Sequence, residues 1–381
     1  MNQRRYDRPL IGIVVVLLIM GLVMVQSASG PVAADRMGEP LHYVKRQLMA
    51  LLPGLVGCVF LARAPYDWLK RYAWAAYGAV IVGLTLVFVP GIANRVNGAS
   101  RWIGMGSVNL QPSEFAKIAS ILCMSHFLGQ HPGRMNDLKR VFLPALLIPA
   151  PLMALILAEP DFGTTVIIGG MAFLTLYVAG LRTQYIYGLG GLALLSIIPA
   201  VQFASYRLKR VTSFLDPWAD AAGSGYQVIQ SMIAFHSGGL LGRGLGESQA
   251  KHLFLPEPWT DFIASVVAEE LGLFAIFGLL CLYGGLVWRG LTIARRAPDL
   301  FGTLLATSLT AMLGLQAFFN LGVVMGIVPP KGLVLPFMSY GASAIIGHLF
   351  CIGLLLNISA NAGHKPATPP IYRPVAVAEG V

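Results

Sequence analysis

Charge is the scarcest ingredient of this 381-residue chain: Asp, Glu, Lys and Arg make up 12% of it, about half the ~25% of an ordinary soluble domain. Acid is scarcer than base, 17 residues against 27. There are four cysteines, Cys58, Cys123, Cys281 and Cys351, all inside apolar runs and without metal-ligand spacing, which excludes a disulfide scaffold and a Cys-based zinc site. The chain has no HExxH, no GxSxG elbow, no Walker Lys-Ser/Thr pair and no Ser-x-x-Lys accompanied by the Ser-Asp-Asn and Lys-Thr-Gly of a transpeptidase. Those absences argue against a zinc peptidase, a serine hydrolase, ATP-driven transport by this chain alone and a transpeptidase. What abounds is apolar. The residues AVILMFWYC account for 56%, with 43 glycines besides, and the mean hydropathy is +0.69. A soluble enzyme and a disordered chain are thereby excluded. The remaining class is an all-α polytopic membrane protein.

A spanning helix needs about 20 mainly apolar residues. Ten candidate spans emerge: 9–28, 47–64, 72–90, 113–129, 141–158, 164–181, 184–203, 262–288, 300–328 and 336–358. The fourth is short and holds Glu114 and Lys117. The first follows a basic start (Arg4, Arg5, Arg8) and reads as a retained helix rather than a cleaved leader. With the N-terminus inside, inner segments carry fifteen Lys and Arg against six in the short outer loops. That bias puts both termini in the cytoplasm, as an even number of spans requires. The net charge of +10 is then an orientation signal at span ends, and no nucleic-acid partner is expected. Residues 1–360 read as a single membrane domain with one long outer segment, 204–261. Residues 361–381 read as a polar, Pro-containing cytoplasmic tail without structure.

The information-rich loops all fall outside: 91–112, 159–163, 204–261 and 329–343. Asp261 enters a long apolar helix from the 58-residue segment. An ionisable residue there is a functional candidate, although a carboxylate at a helix N-terminus is also stabilised by the dipole, and Thr260 is an alternative cap. Glu269 and Glu270 lie eight and nine residues further in, about 12–14 Å deeper and on different helix faces. They cannot all face one site, and a structural pairing is expected, above all for Glu270. The spacing of Gly242, Gly244 and Gly246 is that of neither a dinucleotide fingerprint nor a P-loop. It suits either a tight turn or a close backbone approach to a lipid headgroup. Arg101, beside Trp102, is either an interfacial anchor or a phosphate ligand. Lys331 is a second candidate anion ligand. Glu114 and Lys117, three apart, are expected to form an ion pair. Glu159 and Asp161 flank Pro160 in a short turn, and turn chemistry alone suffices for them.

The motifs VNGASRWI (96–103), QPSEFAK (111–117), SGGLLGRGLG (237–246), LPEPWTDFIASVVAEELG (255–272) and PPKGLVLPFMSYGAS (329–343) resemble, in order, those of the SEDS family of shape, elongation, division and sporulation proteins. VNGASRWI and KGLVLPF look more like its division member than its elongation member. The resemblance implies a ten-span fold in the bacterial cytoplasmic (inner) membrane. It implies an inverting peptidoglycan glycosyltransferase that polymerises lipid II, an undecaprenyl-diphosphate-linked disaccharide-pentapeptide, at the outer face. Its acidic catalytic residue maps to Asp261. The residues expected at the substrate are Arg101, Trp102, Arg243, Lys251, Glu257, Lys331 and Ser339, with the undecaprenyl tail in an apolar groove between spans. The resemblance leaves the metal open and makes room for a divalent cation, Mg2+ or Mn2+, at the diphosphate. It implies a class B penicillin-binding transpeptidase and other division proteins as partners. Two positions depart from the family pattern: Trp259 stands where His is usual, and SYGAS, with Ala342, replaces SYGGS. An elongation-type polymerase, a lipid II flippase and a non-catalytic scaffold are the competing expectations.

Overall fold

The computed structural model describes residues 5–362, except 92, 97–98, 106–107, 203–204, 224, 252–254 and 330–331. The chain folds into a helical bundle. In order, the helices are α1 (Arg8–Met37), α2 (His42–Arg63), α3 (Tyr66–Arg71), α4 (Ala73–Leu86), α5 (Pro112–Gly129), α6 (Leu143–Leu147), α7 (Pro149–Ala158), α8 (Phe162–Val178), α9 (Thr183–Gln202), α10 (Ser205–Leu215), α11 (Tyr226–Gly238), α12 (Ile263–Arg295), α13 (Leu300–Val324) and α14 (Ala342–Asn361). A helical stretch lies at each expected span. Six described stretches are long and apolar enough to cross a bilayer: α1, α2, Leu138–Ala158, α12, α13 and α14. Helices α4 and α8 are shorter and apolar.

Three differences from the sequence expectation matter. Between α4 and α5 the chain forms an antiparallel three-stranded ribbon, β1 (Ala93–Val96), β2 (Ala99–Met105) and β3 (Val108–Leu110). An all-α reading does not include it, because strands this short carry no periodic signal over so few residues. The segment expected as one helix over 336–358 begins its helix only at Ala342; residues 336–341 make a turn, with Phe337 at φ 66. Finally, the segment 204–261 holds α10, a short 3₁₀ turn at Pro217–Asp220, and α11. The expected tail lies outside the described residues from 363 onward.

Of the six long stretches, α13 and α14 are the most enclosed. Small residues let α14 lie close along α2: a Cβ at Gly353 would sit 2.6 Å from Cys58 O, and one at Gly54 would sit 2.7 Å from Leu349 Cδ1. Close backbone approach of this kind is how helices gain packing energy where no water drives them together. Asn357 Nδ2 donates to Leu61 O and Ala64 O, at 2.7 and 2.8 Å, and so meets carbonyls at the end of α2. At the opposite end of α14, the 335–340 turn is pinned from three sides. Tyr283 Oη donates to Pro336 O (2.6 Å), Gln47 Nε2 donates to Ser339 O (3.2 Å), and Gly21 leaves room for Phe337 O, which a Cβ there would meet at 2.4 Å. This turn forms one wall of the candidate site.

Candidate active site

Asp261 sits one residue before Phe262, the N-cap of α12, and neither it nor Thr260 caps that helix. The loop is held instead by its backbone. Asn320 Nδ2 of α13 donates to Asp261 O at 2.8 Å and also to Leu333 O. Tyr340 N donates to Trp259 O at 2.9 Å, and buried Trp259 stacks on Tyr43, whose ring is also edge-on to Tyr340. Trp259 is therefore a packing residue that joins α2, the 335–340 turn and the Asp261 loop. Gly332 lies against the carboxylate: a Cβ there would be 2.6 Å from Asp261 Oδ2.

The Asp261 carboxyl makes no hydrogen bond among the described residues and is half-buried. Burial pushes its pKa up to about 6; the negative charge of Glu257 adds to the rise and Arg210 opposes it. Glu257 is exposed and held at φ 46, its carbonyl accepting from Thr260 N (3.0 Å) and Thr260 Oγ1 (2.8 Å). Arg210, exposed on α10, is a cation that no sequence pattern marked. Only the fold carries it from 51 positions away to the neighbourhood of Asp261.

The other two acids of α12 are committed elsewhere. Glu269 accepts from Ser248 Oγ (2.6 Å), Gln249 N (3.1 Å), Ala250 N (3.1 Å) and Ser237 Oγ (3.3 Å), with Arg243 Nη1 at 3.5 Å. Glu270 accepts from Ser27 Oγ (2.7 Å), Lys251 Nζ (3.0 Å) and Ser248 N (3.4 Å). Helix α12 breaks just beyond, at Gly272 with φ 77, and the freed backbone pairs with the glycine-rich loop. Arg243 N and Gly244 N donate to Glu269 O and Glu270 O, both at 3.0 Å, while Leu273 N and Phe274 N donate to Gly239 O and Leu240 O. Gly242 and Gly272 face each other so closely that a Cβ on Gly272 would lie 2.4 Å from Gly242 N. The glycines thus serve a close backbone approach, to the broken helix itself. Arg243 and Lys251, expected at the substrate, are paired with these two glutamates.

Arg101 donates through Nε to Glu159 O (3.0 Å) and through Nη2 to Pro160 O (2.8 Å), so the guanidinium closes the end of α7. Trp102 is half-buried opposite Asn94 in the ribbon. Asp161 caps α8, accepting from Thr164 N (3.1 Å) and Thr164 Oγ1 (2.7 Å). Glu159 differs: its side chain is buried with neither oxygen hydrogen-bonded among the described residues. Burial and then Asp161 push its pKa up to about 8, against the pull of Arg101. Lys117 Nζ meets Glu114 Oε2 at 2.8 Å, the expected pair. Ser339 is buried, its Oγ accepting from Leu335 N at 2.9 Å. Position 342 opens α14 and needs no positive φ, so Ala342 costs nothing there. Lys331 lies outside the described residues. Gln47 and Asn320, which tie the two walls together, are further residues that sequence reasoning missed; a lone amide in an apolar run gives no sign of its partner.

Residues 8–364 match a family model described as "Cell cycle protein", the FtsW/RodA/SpoVE family. The probable peptidoglycan glycosyltransferase FtsW of Geobacter metallireducens is 41% identical over 95% of this chain and 96% of its own. Stage V sporulation protein E of Bacillus subtilis is 40% identical over 93% of this chain and 96% of its own. Among solved structures, a chain of a peptidoglycan synthase complex that coordinates polymerization and crosslinking superimposes with a TM-score of 0.77 at 32% identity, covering 94% of this chain and 98% of that one. The rod shape determining protein RodA of Thermus thermophilus does so with a TM-score of 0.69 at 29% identity, covering 95% and 99%. With a family model matched over 8–364 and relatives about 40% identical along nearly its whole length, the chain belongs to the FtsW/RodA/SpoVE family of integral membrane proteins.

Proposed function

We infer that this protein is a peptidoglycan glycosyltransferase of the division type, polymerising lipid II at the outer face of the cytoplasmic membrane. The observation that carries the mechanism is Asp261: a half-buried carboxyl with no hydrogen-bond partner among the described residues and a pKa near 6. A general base works best when its pKa lies near the operating pH. Asp261 takes the proton of the acceptor sugar hydroxyl as that oxygen attacks the donor's anomeric carbon. The bond from that carbon to the diphosphate oxygen breaks, and the diphosphate leaves with the electron pair. One displacement inverts the centre and needs no covalent intermediate. The leaving group departs as an anion, so no second carboxylic acid is required.

Cations must meet that anion. Arg210 is the described base beside Asp261; Arg101, Arg243 and Lys251 already hold protein groups. The charge of Glu257 is felt at Asp261, and these two carboxylates would be the protein ligands of a Mg2+ or Mn2+ that draws its remaining ligands from diphosphate and water. Such an ion would neutralise charge on the leaving group. A class B penicillin-binding transpeptidase is the partner, because this chain lacks the Ser-Asp-Asn and Lys-Thr-Gly elements that a transpeptidase site needs beside its Ser-x-x-Lys, and other division proteins would direct the pair. Both termini face the cytoplasm, following the excess of Lys and Arg on that side. A flippase would need polar groups open along a path. The buried polar groups Glu114 and Lys117, and Gln316 Oε1 and His348, are paired with each other instead, which favours polymerisation.

The test is reconstitution with the cognate transpeptidase and lipid II, comparing wild type with Asp261→Asn. Glycan strands from wild type and none from a folded variant support this reading. Lipid II crossing the bilayer without polymer would replace it with transport. Equal polymer from both proteins would remove Asp261 from the mechanism.

A further inference from the structure

A second site lies at the other side of the glycine-rich loop, and its depth can be read from two helices. Arg289 of α12 donates to Asp7, which caps α1, at 3.2 and 2.5 Å, marking one membrane boundary. Ser27 lies twenty residues beyond Asp7, and Glu270 nineteen before Arg289. At ~1.5 Å per residue each is about 30 Å from that pair, the thickness of the hydrocarbon core. Ser27 and Glu270 are hydrogen-bonded to each other at 2.7 Å, so both helices place the same contact at the opposite boundary. The loop bound there lies where lipid phosphates and glycerol lie.

At this level a groove of about 700 Å³ opens between α1 and the loop, lined in part by Leu22, Val23, Gln26, Leu245, Gly246 and Lys251. Leu22 and Val23 lie one turn deeper than Gln26, and Val23 and Leu245 are exposed. Two polar groups on the groove have unmet capacity among the described residues. Gln26 Nε2 donates to Pro40 O at 3.4 Å, which settles the orientation of the amide, because the other atom cannot donate. Its Oε1 is then buried without a partner among the described residues. Lys251, only 3% exposed, gives two of its three N–H groups to Glu270 and Gly246 O. One acceptor and one cationic donor thus line the same groove at headgroup depth, above an apolar wall. Lys251 is already balanced by Glu270, so the site suits a headgroup without net charge.

We propose that this groove binds one zwitterionic aminophospholipid. Its phosphate meets the third N–H of Lys251, its ammonium donates to Gln26 Oε1, and an acyl chain lies along Leu22 and Val23. The lipid fastens the glycine-rich loop to α1. This assignment does not rest on the glycosyltransferase reading.

The test uses the full chain in mild detergent with equal amounts of phosphatidylethanolamine and phosphatidylcholine. The quaternary headgroup of the latter has no N–H. Native mass spectrometry is expected to show phosphatidylethanolamine retained about tenfold over phosphatidylcholine, the worth of one charge-assisted hydrogen bond. Gln26→Leu abolishes the preference, and Ala34→Phe, which fills the groove, abolishes retention of both. Equal retention of the two lipids by wild type, or retention of neither, overturns the proposal without any variant. So does an undiminished preference in Gln26→Leu. Displacement of the phospholipid by undecaprenyl diphosphate would give the groove to a substrate tail instead.

Discussion

Two sets of carboxylates stand within ten residues of each other at the head of α12, and the fold treats them in opposite ways. Glu269 and Glu270 are buried and together accept hydrogen bonds from three serines, three backbone amides, Arg243 and Lys251. Asp261 is half-buried and accepts none among the described residues, and its pKa is pushed up to about 6. A carboxylate supplied with that many donors serves as a clamp. One left without donors in a partly dry site can exchange a proton near neutral pH. The contrast separates the element that builds the loop from the element to which we assign the chemistry.

The largest effect should come from Asp261→Asn, which abolishes proton transfer. Polymer formation is expected to fall by about 10²–10⁴-fold, with thermal stability held or slightly raised. A melt showing collapse instead would mean that the residue is a clamp after all. Next, Glu270→Ala leaves Lys251 buried without its charge partner, a loss of about 3–5 kcal/mol; the expected result is a lowered unfolding midpoint and protease cleavage within 239–251. A variant with full stability would dissolve the distinction between the two sets. The pH dependence of turnover sharpens it further. Asp261 must be ionised to accept a proton, so activity should rise tenfold per unit below about pH 6 and level off above, a limb absent from Asp261→Asn.

Gly272→Ala tests the backbone side of the clamp. It puts a side chain at φ 77 and against Gly242 N, a cost of at least about 1–2 kcal/mol, readable as faster hydrogen exchange in the loop. The smallest effect belongs to Glu159, a third case: buried, without donors, and raised to about 8. Its folded pKa lies above the unfolded value, so the folded state holds a proton that the unfolded state has lost. Stability should therefore fall as pH climbs from the ordinary carboxylate range to about 8. Glu159→Gln removes that slope. It should be more stable than wild type at pH 8 and no more stable at pH 4; parallel melting curves across that range would show that Glu159 is not protonated in the fold.

Membrane class, the helical stretches and Asp261 were legible before any coordinates. Apolar runs of ~20 residues leave the backbone no option but helix in a bilayer, and a lone acid at the mouth of such a run is conspicuous. The Glu114–Lys117 pair was equally legible, because three-residue spacing on a helix places two side chains together whatever surrounds them. Arg101, Arg243 and Lys251 read as anion ligands, since a basic residue in an outer loop looks alike whether its partner is a phosphate or a carbonyl. Each has a partner between 19 and 59 positions away, and nothing local announces it.

Composition and periodicity by themselves therefore determined the solvent of this protein, its helices and the acid at the mouth of α12, because those follow from hydrogen-bonding demand and side-chain spacing along one segment. Which acids are clamped and which is left free, the break at Gly272, the approach of Arg210 and the β-ribbon were decided by tertiary structure alone. Each depends on donors and acceptors that distant segments bring together, and a carboxylate's role is set by what surrounds it in space.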